Sequence, residues 1–80
     1  MDLPDRITRA WMDALIDADL LSAESRLRET FFALERVQKA ALGAKYDMMK
    51  GSNELLTAWD RWARVDNATR ARGLHPRRKP

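Results

Sequence analysis

The stretch that decides the fold is Gly51–Pro76, "GSNELLTAWDRWARVDNATRARGLHP". It carries its own start and stop signals. Ser52 or Asn53 can cap a helix, and Glu54 falls in the first turn, where an acid is favoured. Leu55, Trp59, Trp62, Ala63 and Asp66 then follow 3–4 spacing, with Leu56 and Ala58 beside them. Arg70 and Arg72 fall in the last turn, where cations are favoured. Gly73 suits the residue just past a helix end, Leu74 can fold back as the apolar partner of that cap, and Pro76 prevents resumption. The pattern predicts a helix over 53–72, followed by a mobile basic tail over 75–80.

Upstream, a second helix is predicted over 23–50, with Ser22 as its N-cap and Leu20 and Leu21 in the connection before it. Leu27, Phe31, Leu34, Gln38 and Ala41 share one side, flanked by Thr30, Val37 and Leu42. Gly43 reads either as a stop or as an interior glycine, costing about 1 kcal/mol relative to alanine. The helix-forming run "AKYDMMK" after it favours continuation to Lys50, with Gly51 as the left-handed cap. A first helix is predicted over 4–18. Pro4 suits its first turn, and Ile7, Ala10, Trp11, Ala14, Leu15 and Ala18 lie along one face; Met12 and Ile16 fall off it. No stretch alternates with period two. The expectation is an all-α, three-helix domain over 1–74, with a long central helix and an antiparallel hairpin of helices two and three.

Composition narrows the function. The chain has 80 residues and a net charge of +3. A chain of this length buries only about 60% of its unfolded surface, so a lone monomer is marginal. The usual staples are disulfides, metals or partners. There is no cysteine and one histidine, His75, so thiolate and multi-histidine metal sites are excluded. Self-association is the expected remedy. The acidic, polar start reads as no secretory leader and no apolar run spans a bilayer, so a cytoplasmic location without membrane contact is expected. Charge is polarised: residues 1–24 hold six acids against Arg6 and Arg9, whereas residues 61–80 hold seven bases against Asp66. That asymmetry suits an anionic partner at the C-terminal end, or head-to-tail contact between copies.

The candidate nucleic-acid residues are Arg61, Arg64, Arg70, Arg72, Arg77, Arg78 and Lys79, cations that can hold backbone phosphate without reading sequence. The plainer reading is a solvated helix face and a tail. Trp11, Phe31, Met48, Met49, Trp59 and Trp62 are the candidate protein-interface residues; core packing is the alternative for the tryptophans. Asp13 and Asp17 share a face, and without further ligands they read as polar surface rather than a magnesium site. His75 has no orienting partner in the sequence pattern. No phosphate loop and no nucleophile–base set is present, so neither an enzyme nor a cofactor is expected.

The C-terminal half resembles the last helix and exit of short phage small terminase subunits. Gly51-Ser52-Asn53 corresponds to the opening turn, Gly73-Leu74-His75-Pro76 to the closing break, and Arg77 and Arg78 to the basic residues after it. Ala18–Ala40 looks like that family's first long hairpin helix. The chain departs from the pattern in three ways: His75 stands where threonine is commoner, Asn53 is not followed by proline, and no separate helix-turn-helix domain precedes the hairpin. The resemblance implies a ring-forming, non-catalytic packaging adaptor that binds double-stranded viral DNA and hands it to a large terminase subunit. The alternative is a small phage or bacterial protein-interaction module, an inhibitor of a host defence complex or an antitoxin-like partner, with no nucleic-acid role.

Overall fold

The computed structural model describes residues 3–45 and 53–74, and all regular structure among them is helical. The elements are α1 (Arg9–Asp13), α2 (Asp17–Leu42), a 3-10 turn (Gly43–Lys45) and α3 (Asn53–Ala71). None of these helices is long and apolar enough to cross a membrane.

The hairpin stands as expected. Leu20 and Leu27 near the start of α2 cluster with Val65 near the end of α3. Phe31, further along α2, meets Leu55 and Ala58 at the start of α3. The two helices are therefore antiparallel. The buried positions of α2 are Leu20, Ala23, Glu24, Leu27 and Phe31, a spacing that keeps one stripe against α3. On α3 they are Leu55, Ala58, Val65 and Thr69. Half-buried Trp62 packs against both clusters and joins them.

Three boundaries differ from the expectation. The first helix is five residues long, not a rod over 4–18. Thr8 is extended (φ −109°, ψ 158°) and caps it, its hydroxyl accepting from the Trp11 N–H at 3.1 Å. Pro4 precedes the helix, and its carbonyl accepts from Arg61 Nη2 at 2.7 Å. The cause is tertiary: this path buries Ile7 to 3% exposure and packs Leu3, Trp11, Met12 and Leu15 against the core, while Ala10, Ala14 and Ala18 of the anticipated stripe face solvent.

Secondly, α2 begins at Asp17, six residues before the expected start at 23, so Ser22 lies inside it rather than capping it. Ile16 is the extended N-cap residue (ψ 162°) with no side-chain cap bond, and Asp17 and Asp19 supply the negative charge that favours a first turn. Leu20, expected in a connection, is instead fully buried in the helix. Thirdly, the α-helix ends at Leu42. Gly43 adopts φ 57°, ψ −126°, a region open to glycine but not to L side chains, and so stops the helix that was expected to run to Lys50. Residues 46–52, with the expected cap Gly51, lie outside the described residues, as does the tail over 75–80.

The C-terminal stop of α3 is as expected. Gly73 has φ 77°. Its N–H donates to the Arg70 carbonyl at 3.0 Å, and the Leu74 N–H donates to the Thr69 carbonyl at 2.8 Å. Leu74 then packs against the core. This is the paired-bond cap with its apolar contact.

Candidate interaction surface

Two kinds of surface emerge, one apolar and one cationic. The apolar one arises because, among the described residues, α2 outruns α3. Twenty-six residues of α-helix span roughly 39 Å, against roughly 28 Å for the nineteen of α3. No residue of α2 beyond Phe31 is buried. Yet the helical stripe continues through Leu34, Val37, Gln38, Ala41 and Leu42. Val37 remains 66% exposed and Leu42 42%. Phe32 and Trp59 also reach solvent. Phe31, Phe32 and Trp62 form a mutually touching trio with ring centroids 5.4–5.5 Å apart. A shallow groove of about 310 Å³ runs past Trp59 and Trp62 towards Asn67.

The structure thus sorts the expected interface residues. Phe31 is sealed in the core and does not reach the surface; its neighbour Phe32 does. Trp11 and Trp62 are half-buried against the core, and Trp59 is the exposed indole. Met48 and Met49 lie outside the described residues.

The three arginines of α3, and Arg72 just beyond its end, are engaged within the chain. Arg64 Nε donates to Asp60 at 2.9 Å and Arg70 Nε to Asp66 at 2.9 Å, both one turn apart. Arg61 reaches back to the Pro4 carbonyl, and its Nε is buried without a hydrogen-bond partner. Arg72 ties the end of α3 to the α1–α2 junction: Nη1 donates to Asp17 at 3.0 Å and Nη2 to the Met12 carbonyl at 2.9 Å. Two of the four are therefore clamps on the N-terminal segment as well as surface cations. Arg77, Arg78 and Lys79 fall outside the described residues.

Sequence reading missed two cations. Arg6 and Arg9 stand in the acidic N-terminal segment, and charge counting set them aside. The fold brings them beside the α3 arginines. Arg9 shares a groove with Arg64 and Arg72, and Arg6 shares one with Arg61 and Arg64. No local signal marks them: the contacts that hold this segment on α3, Arg61 to the Pro4 carbonyl and Arg72 to Asp17 and the Met12 carbonyl, are 55 to 60 residues apart in sequence.

Inside the hairpin one ionic contact is covered. Glu24 is fully buried, and Arg28, one turn on, donates from Nη1 to both carboxylate oxygens at 2.7 and 3.3 Å. A carboxylate is tolerated there because it is paired. Comparison of the chain with protein-family models, with curated proteins and with solved structures finds no match in any of the three.

Proposed function

We propose that the chain is a non-catalytic, self-associating helical adaptor of phage type that engages double-stranded DNA through its arginine-rich C-terminal end, as the small terminase resemblance implies. The observation that carries the reading is the pair of exposed apolar side chains on the second half of α2, Val37 and Leu42, which no described residue buries. The occupant of that face is a second copy of the chain. Two such faces can pack antiparallel as the α2–α3 hairpin does, and any two-fold contact uses each side chain twice. The polarised charge supports the same occupant, since the acidic first third of one copy complements the basic last quarter of another. DNA contact by Arg77, Arg78 and Lys79 needs no base readout and weakens steeply with salt. The DNA would pass to a large terminase subunit.

Native mass spectrometry of the full chain, with and without a short DNA duplex, tests this. A multimer that takes up duplex is expected, and Val37→Glu with Leu42→Glu should disperse it while leaving the helical circular-dichroism signal. A chain that stays monomeric and ignores duplex at low salt refutes the proposal.

A second reading has its own support. The three arginines of α3 and Arg72 just beyond it already have partners within the chain, which favours a protein-interaction module without a nucleic-acid role. On that reading the partner is a host or phage protein, the complex survives moderate salt, and alanine at positions 77–79 leaves it intact.

A further inference from the structure

We propose that the groove between α1 and the C-terminal half of α3 is a seat for nucleic-acid backbone phosphate, completed by Arg9 from the acidic end of the sequence. The inference rests on the reading that the chain binds DNA, and adds where the backbone lies.

The groove holds about 340 Å³. Arg9, Arg64 and Arg72 line it with the Asn67 amide, over a floor that includes Met12 and Ala68; Asp13 is the one acid among the described lining residues. The lining therefore carries a surplus of positive charge. Arg72 is held rigidly by Asp17 and the Met12 carbonyl, with its side chain three-quarters covered. A guanidinium has five N–H donors, so donors remain for a ligand. Arg64 uses only Nε, on Asp60, and both side chains are more than half exposed. Arg9 sits 3.8 Å from Asp13, beyond hydrogen-bond length, and is almost wholly in solvent. Exposed pairs of this kind are weak, so an incoming phosphate can redirect both guanidinium groups.

The shape selects a polyanion over a small one. Among the described residues no aromatic ring lines the groove, so none of them would stack a base there. A second, smaller groove of about 190 Å³ shares Arg64 and adds Arg6 and Arg61, with Asp5 and Asp60 also in its lining. Two adjoining cationic hollows joined by one arginine match a repeating phosphodiester strand, which is the contact class that positions a duplex without reading it.

The test is fluorescence anisotropy of a labelled short duplex with the full chain at low salt. Three variants are compared: Arg9→Gln with Arg64→Gln; a charge-matched control, Arg26→Gln with Arg36→Gln, two exposed α2 arginines that line neither groove; and alanine at Arg77, Arg78 and Lys79. The groove variant should lose about tenfold or more in affinity, and its salt slope should fall by about one to two phosphate contacts. The control should lose clearly less. In the wild-type chain, the side-chain Nε–H signals of Arg9, Arg64 and Arg72 should move on adding duplex while that of Arg36 stays, a readout that holds even if a variant folds poorly. If the groove variant matches the control and only the tail variant fails, the groove assignment is overturned and DNA binding stands. If the wild-type chain ignores duplex, or a phosphopeptide alone shifts the groove arginines, both readings fall.

Discussion

Leu20→Ala is the sharpest probe of the packing. Leu20 has no exposed surface and lies in the larger core cluster; Leu21, its neighbour on the same helix, is half-buried. The two substitutions have the same chemistry and the same effect on helix propensity, so their difference isolates burial. A fully buried Leu→Ala costs about 3 kcal/mol or more, transfer and cavity combined. At Leu21, with part of the side chain already wet, about 1 kcal/mol is expected. An 80-residue chain has a total stability of roughly 4–12 kcal/mol. Leu20→Ala should therefore remove a quarter or more of it, and lower Tm by roughly 12–24 °C at about 4–8 °C per kcal/mol. Urea unfolding followed by circular dichroism measures both variants, at matched protomer concentration because association adds to apparent stability. If Leu20→Ala costs no more than Leu21→Ala, Leu20 sits in a connection and α2 does not begin at Asp17.

Other expectations follow from the caps and clamps. Gly73→Ala should cost about 1–2 kcal/mol from the positive φ alone, because no atom lies within 4 Å of an added Cβ; Gly73→Asn should cost clearly less, and equal losses would argue against the cap. Gly43→Asn should give no such relief, since φ 57° with ψ −126° lies outside the region asparagine tolerates; thermal melts of the two asparagine variants decide this. Arg72→Ala should loosen the N-terminal segment, raising hydrogen exchange at the Met12 and Ala14 amides several-fold while the centre of α3 keeps its protection. Arg28→Met should destabilise by about 2–3 kcal/mol by weakening the compensation of the buried Glu24 carboxylate, and adding Glu24→Met should recover much of that in chemical denaturation.

Local signals reported the third helix well. Glu54, the tryptophan spacing, Gly73 and Leu74 each act on the turn of helix they sit in or end, and each acts as its chemistry suggests. The N-terminal third was misread because its decisive causes are distant. Ile7 and Trp11 sit at helical spacing, yet Ile7 is buried from an extended segment whose Pro4 carbonyl is bound by Arg61, 57 residues away. Ser22 has the chemistry of a cap, but Leu20 has more to gain from the core, so the helix starts earlier and Asp17 and Asp19 take the first turn. At Gly43 both readings were locally sound, and the backbone angles favour the stop. The cationic groove was invisible to charge counting because it joins Arg9 to Arg64 across most of the chain.

Trp62 has one more consequence. A single indole leans on both halves of the interior, so neither half can melt while the other stays whole. Denaturation ought to be all-or-none for the hairpin, and substituting this ring by alanine should split it into two steps of unequal midpoint.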